Sequence, residues 1–191
     1  MSAVLTATAI EMTEDEYVCT LSNSKRFEFT DGLVTAKRGP YMTQLRHVAV
    51  AEEFGALLFQ YRKTWAGFSG QTPTANLSHA QRRLYRIPDI AYWAPGRPFG
   101  DGIFTPPTLA IEIVSQGQSL RDLRAKCRLY RESGVEIAWL IHPDRCWVEV
   151  WEDLRSGERI ERTGLLESPR LPGLRIEINS VFAAVDAVAS T

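Results

Sequence analysis

The chain has 191 residues, enough for one hydrophobic core and about one domain. With 45% hydrophobic and 24% charged residues and a net charge of −1, it is composed like a soluble globular protein and not like one that coats nucleic acid. No run of about 18 apolar residues occurs, so no transmembrane helix is expected, and Cys19, Cys127 and Cys146 are too scattered for a disulfide framework or a zinc pattern.

The opening MSAVLTATAIEMTEDEY lacks a basic segment followed by a long apolar one, which predicts a tail over residues 1–11 and no secretory signal. With the cysteines read as small core residues, a reducing, cytoplasmic setting is expected. Thr13 to Glu16 has the pattern of a capping box opening a short helix to about Leu21. In RFEFTDGLVTAKRG two short runs flank Asp31-Gly32, a hairpin signal. MTQLRHVAVAEEFGALLFQYRK carries apolar residues at Val50, Phe54, Leu57, Leu58 and Tyr61, the spacing of a long amphipathic helix.

Residues 65 to 86 read as strand plus loop, IPDIAYWAPG as a short strand ending at Pro95-Gly96, and Pro98 to Pro107 as a Gly/Pro-rich loop. TLAIEIVS is strand-like. Ser119 to Asp122 caps the next helix, which stops at Ser133-Gly134. VEIAWLI reads as a central strand covered on both faces. After a turn at His142 to Arg145, CWVEVWE returns as the second strand of a hairpin. Weaker strands near Glu158–Arg162 and Leu174–Ile178 and a closing helix after Asn179 complete an α/β or α+β order with a mixed sheet. The tryptophan strand CWVEVWE reads as a dimer edge or simply as sheet, and a homodimer is one expectation.

Three residues stand out chemically. Strand alternation puts Leu109, Ile111 and Ile113 on one face and Ala110, Glu112 and Val114 on the other, leaving Glu112 among apolar neighbours. A buried carboxylate has to be protonated, paired or bound to a metal. Asp89 enters a strand directly after Pro88, though Pro-Asp also marks ordinary turns. On a wheel of roughly 100° per residue, Leu123, Cys127 and Tyr130 form an apolar stripe, with Arg121, Arg124, Arg128 and Arg131 on one flank and Lys126 on the other. The chain holds eighteen arginines and only four lysines, Lys25, Lys37, Lys63 and Lys126. Taken singly, Glu112 reads as an ion pair and Lys126 as a surface lysine beside Asp122. Taken together, two carboxylates on neighbouring strands can hold a hard ion such as Mg²⁺ (or Mn²⁺), and a lysine can stabilise the charge of phosphodiester hydrolysis.

The stretches PDIAYWAPG, PPTLAIEIVS and SLRDLRAKCRLYRESGVEIAWLIHPDRCWVEVW resemble the Uma-type family of putative restriction endonucleases, within the PD-(D/E)XK nuclease superfamily. RFEFTDGLVTAKRG resembles that family's opening hairpin, and LRHVAVAEEFGALL its first core helix, with His47 at the usual histidine. The resemblance implies one restriction-endonuclease-like domain over residues 12–185, with a central mixed β-sheet flanked by α-helices, acting as a Mg²⁺-dependent endonuclease on DNA. Carried over by position, Asp89 and Glu112 become metal carboxylates. The superfamily's lysine position is here Val114, and Lys126 is similar to the lysine of branches in which that residue lies on the next helix. Glu52 or Glu53 is in the place of first-helix acids that approach the metal in some relatives, although a solvated face suits them equally. His47 also fits a packed, hydrogen-bonded histidine of the helix stripe.

Arg82, Arg83, Arg86, Arg121 and Arg124 are candidate contacts to nucleic-acid phosphates, against the plainer reading of solvated arginines. Two rivals stay open at this point. One is a catalytically inactive module of the same fold, used for nucleic-acid binding or dimerisation. The other is a metal-free carboxylate-pair hydrolase of sugars, for which the positions of Trp139, Trp147 and Trp151 suit a core better than a glycan platform.

Overall fold

A computed structural model of the chain describes residues 9–37, 45–79, 81–97 and 104–189. The expected tail as far as residue 8, the start of the long helix at 42–44 and most of the Gly/Pro loop (98–103) lie outside the described residues.

Local chemistry places the first elements. A short strand, β1 (Ile10–Glu11), precedes α1 (Glu14–Thr20). Thr13 caps α1: its hydroxyl accepts the Glu16 amide (3.3 Å), while the Glu16 carboxylate accepts the Thr13 amide (2.9 Å). Strands β2 (Phe27–Thr30) and β3 (Leu33–Ala36) form the expected hairpin. Asp31 and Gly32 both take positive φ (46° and 90°), the geometry a two-residue turn needs to match strand twist. The long helix α2 (Leu45–Trp65) follows, then β4 (Phe68–Gln71), β5 (Ala75–Asn76), β6 (Leu84–Arg86) and β7 (Ile90–Trp93).

The second half is built on β8 (Leu109–Ile113), α3 (Leu120–Glu132) and β9 (Ile137–His142), a strand–helix–strand unit whose strands run parallel. Ser119 caps α3, accepting the Asp122 amide (3.4 Å). Strands β10 (Trp147–Trp151) and β11 (Glu158–Glu161), the antiparallel pair β12 (Leu165–Glu167) and β13 (Arg175–Glu177), and helix α4 (Ile178–Ala189) complete the order.

The main sheet runs β11-β10-β9-β8-β7-β4, antiparallel except for β8 against β9. A second sheet runs β1-β3-β2-β6-β5. Among the described residues the fold is α+β, with four α-helices, a mixed main sheet and an antiparallel second sheet. Strand alternation assigns the two faces of the main sheet. Leu109, Ile111, Ile113, Ile137, Trp139 and Ile141 pack with α2 and α4, whereas Ala110, Ala138 and Leu140 pack beneath Leu123, Cys127 and Tyr130 of α3. Both central strands are therefore covered on both faces, as the apolar run of β9 predicts.

Of the two readings of CWVEVWE, dimer edge or sheet, the structure takes the second. CWVEVWE becomes β10, which pairs with β9 on one side and β11 on the other, and Trp147 and Trp151 are buried. Its tryptophans cover the α3 face of the sheet and leave no free strand edge there.

Phe54 of α2 is wholly buried and meets the ring of Trp139 edge-on with centroids 6.1 Å apart. We expect Phe54→Ala to destabilise the fold by about 3–5 kcal/mol, because the vacated volume sits between helix and sheet. Leu154→Ala, at a position 49% exposed, should change stability by no more than about 0.5 kcal/mol. Urea denaturation of both variants checks the contrast.

Candidate active site

The site begins with strand pairing. In the antiparallel register of β7 and β8, Ile90 lies opposite Ile111, so one step further sets Asp89 across from Glu112. The Asp89 backbone is fixed on both sides: its amide donates to Ile111 O (2.9 Å) and its carbonyl accepts the Thr72 amide (2.9 Å). Its side chain is equally constrained. Oδ2 accepts the Ile113 amide (2.8 Å), Oδ1 accepts from Lys37 Nζ (2.7 Å), and His47 Nε2 stands 3.6 Å from Oδ2. Burial opposes ionisation of Asp89, but the Lys37 ammonium, assisted by His47, outweighs it and holds the carboxyl well below its usual range.

Glu112 sits in a strand with all five residues buried, its own side chain 4% exposed. The Tyr130 hydroxyl donates to Oε1 (2.5 Å), and Lys126 Nζ approaches the same oxygen at 2.9 Å. Both partners come from α3, the helix that leaves β8 and packs back on it. Burial raises the Glu112 carboxyl above its ordinary value, with Lys126 pulling the other way. Lys126 behaves as the helical wheel predicts: its stem flanks the stripe of Leu123, Cys127 and Tyr130, and its ammonium reaches the sheet. Burial would favour the neutral amine, yet Glu112, Glu28 and Asp89 together raise its pKa and keep it charged.

Two site residues escape the sequence reading. Glu28 arrives from β2 of the second sheet. It accepts from Lys126 (3.0 Å) and from the Ile87 amide (3.1 Å), and lies 3.7 Å from Arg86. Burial works against its charge, but Lys126 and Arg86 lower its pKa. Lys37 arrives just after β3. Signals existed for both: Glu28 lies between Phe27 and Phe29 in a strand, as Glu112 lies between isoleucines, and Lys37 is one of four lysines in an arginine-rich chain.

Glu28, Lys37, His47, Asp89, Glu112 and Lys126 line one pocket. Its carboxylates supply the all-oxygen donor set that a hard divalent cation prefers, and ammonium groups already occupy the cation positions beside Asp89 and Glu112. On that chemistry the residues fit Mg²⁺ or Mn²⁺. Among the described residues no three His, Cys, Asp or Glu side chains gather into a ready-made metal cage. A larger groove shares His47, Ser115 and Gln118 with this pocket and continues past Val114 and Arg145. Val114 thus lines the groove rather than the acid cluster, where Lys126 stands instead.

The other expected residues are distributed differently. His47 is buried, as a packed histidine would be, and also faces Asp89. Glu53 is half-buried on α2 and Glu52 exposed, and neither lines the pocket. Arg82 lies 3.8 Å from Asp31 and Arg83 3.0 Å from Glu14. Arg86 turns inward, holding Glu28 and donating to Phe29 O (3.0 Å) and Thr30 Oγ1 (2.9 Å). Arg124 grips the buried Glu149 with two contacts (2.9 and 2.5 Å), and Arg121 is exposed. Arg86 and Arg124 therefore serve as counter-charges to buried acids.

A family model described as "Uma2: Putative restriction endonuclease" matches residues 14–180. A structure described as a "putative nuclease belonging to DUF820 from Anabaena variabilis ATCC 29413" superposes with a TM-score of 0.74 at 21% identity, covering 91% of this chain and 99% of that one. At that identity the likeness is one of fold. No curated protein matches.

The lowered pKa of Asp89 makes a stability prediction. A carboxyl whose folded pKa lies below its unfolded value stabilises the fold above the unfolded value, and that contribution is lost as pH falls through the folded one. Wild type should exceed Asp89→Asn in stability at pH 6, and the gap should shrink as the pH falls below about 4. Urea titrations across that range test the sign.

Proposed function

The chain belongs to the Uma2 family of putative restriction endonucleases, and on that premise we propose that it is a metal-dependent endonuclease hydrolysing phosphodiester bonds of DNA, with residues 12–185 as one catalytic domain. The observation that carries this reading is the meeting of Asp89, Glu112 and Lys126 on one pocket, with Lys126 Nζ 2.9 Å from Glu112 Oε1. Asp89 and Glu112 are the residues that would hold Mg²⁺ or Mn²⁺. When bound, such an ion supplies Lewis acidity toward the phosphate and lowers the pKa of a water.

The chain's own groups supply the rest. Lys126 is kept charged by Glu112 and Glu28, so its ammonium is available to a developing phosphorane charge or to the attacking water without first gaining a proton. Tyr130 fixes the Glu112 carboxylate from above through its hydroxyl (2.5 Å), and the Ile113 amide fixes that of Asp89 (2.8 Å). Rigid supports of this kind hold reacting groups within the narrow geometry that catalysis needs. The groove beyond Ser115 gives room for the nucleotides next to the scissile one.

One observation favours the second reading, a catalytically inactive nucleic-acid-binding or dimerisation module: the acids of the pocket are already balanced by Lys37, Lys126 and Arg86. Cleavage assays separate the two. Purified protein should nick plasmid or cut single-stranded DNA with Mg²⁺ or Mn²⁺ and stop with EDTA. Asp89→Ala, Glu112→Ala and Lys126→Ala should each lower the rate by about 10²-fold or more. Cutting that continues unchanged in Glu112→Ala would overturn the assignment.

A further inference from the structure

The pocket contains a second ammonium that the proposed reaction does not use. Lys37 Nζ sits 2.7 Å from Asp89 Oδ1, and the two side chains are only 10% and 11% exposed. The other oxygen, Oδ2, is committed to the Ile113 amide. His47, at 3.6 Å from Oδ2, is too far for a hydrogen bond. Oδ1 is thus the oxygen not tied to the backbone, and it is the one that Lys37 holds.

The two lysines of the pocket are not held alike. Among the described residues Lys126 is gripped by two acids, Glu28 and Glu112, and comes from a packed helix. Lys37 has one acidic partner. Its backbone is pinned where the hairpin ends, the amide donating to Arg26 O (2.7 Å), so only the side chain has to move for the pair to part. A lysine stem has four rotatable carbons and carries its charge as a compact point, which suits it to leave one oxygen for another.

We infer that Lys37 is an exchangeable internal counter-ion: it holds Asp89 while the metal is away, and a divalent cation must displace it to bind there. Lys37 thereby lets three buried acids coexist in the metal-free protein and sets how much divalent cation the site needs. The inference rests on the metal-binding part of the proposed function and not on cleavage.

Mn²⁺ binding measured by calorimetry tests it on wild type, Lys37→Met, Lys37→Gln and a distant control, Lys63→Met. With the competitor removed, Lys37→Met and Lys37→Gln should bind Mn²⁺ more tightly, by about tenfold. The control should match wild type. Thermal melts of the same proteins should show both Lys37 variants less stable than wild type without metal, and gaining more from added Mn²⁺. Should Lys37→Met fail to fold, Lys37→Gln, which retains a polar end, carries the comparison. Unchanged or weaker Mn²⁺ binding in the Lys37 variants, or no Mn²⁺ binding by wild type, would overturn the inference. If Mn²⁺ binds as expected and wild type cuts no DNA, the inference stands and the nuclease reading fails.

Discussion

Like charges crowd the centre of this fold, and cations drawn from distant parts of the chain hold them there. Glu28, Asp89 and Glu112 line one pocket, and each meets a positive group within 3.0 Å: Lys126 for Glu28 and Glu112, Lys37 for Asp89. Removing one partner from such a buried pair costs about 3–5 kcal/mol, because the remaining charge is left unanswered in a poorly solvated space. Simple burial of apolar groups would have been easier to arrange. If the pocket binds a divalent ion, as proposed, these cations balance its acids until the ion arrives.

The architecture follows from that demand. The parallel pair β8 and β9 forces a crossover, and the crossover is α3, whose inward face delivers Lys126 and Tyr130 onto Glu112. The antiparallel neighbour β7 brings Asp89 into line with Glu112. The second sheet then closes the site from the other side, because β2 and the end of β3 carry Glu28 and Lys37. Two sheets and two helices, α3 and, through His47, α2, meet at the pocket, so no single element contains the chemistry.

How much of this is legible in the sequence depends on the range of the interaction. The placement of Glu112 and Lys126 is legible because alternation along a strand and the turn of a helix put side chains on faces without knowledge of the tertiary fold, whereas Asp89 is singled out by the family resemblance. Alternation also separates Ala110 from Ile111 and Ile113, as the two core clusters do. Glu28 and Lys37 are not legible, because their place depends on β2 pairing with β6 across more than fifty residues (Phe29 opposite Tyr85). The first-helix acids Glu52 and Glu53 were the natural candidates for a third carboxylate, yet that acid comes from the hairpin. The same limit explains β10. Its tryptophans are plain in the sequence, but only the pairing with β11 removes it from the sheet edge. Arg86 and Arg124 look like surface charge until the buried acids beside them are located.

Asp89 and Glu112 are proposed to bind one divalent metal ion together in this pocket. Anomalous diffraction from crystals grown with Mn²⁺ tests it most directly. A single strong peak is expected within coordination distance of Asp89 Oδ1 and a Glu112 carboxylate oxygen, with Lys37 moved off Asp89 and Lys126 still beside Glu112. A map with no peak there, and Lys37 still on Asp89 at saturating Mn²⁺, would contradict it.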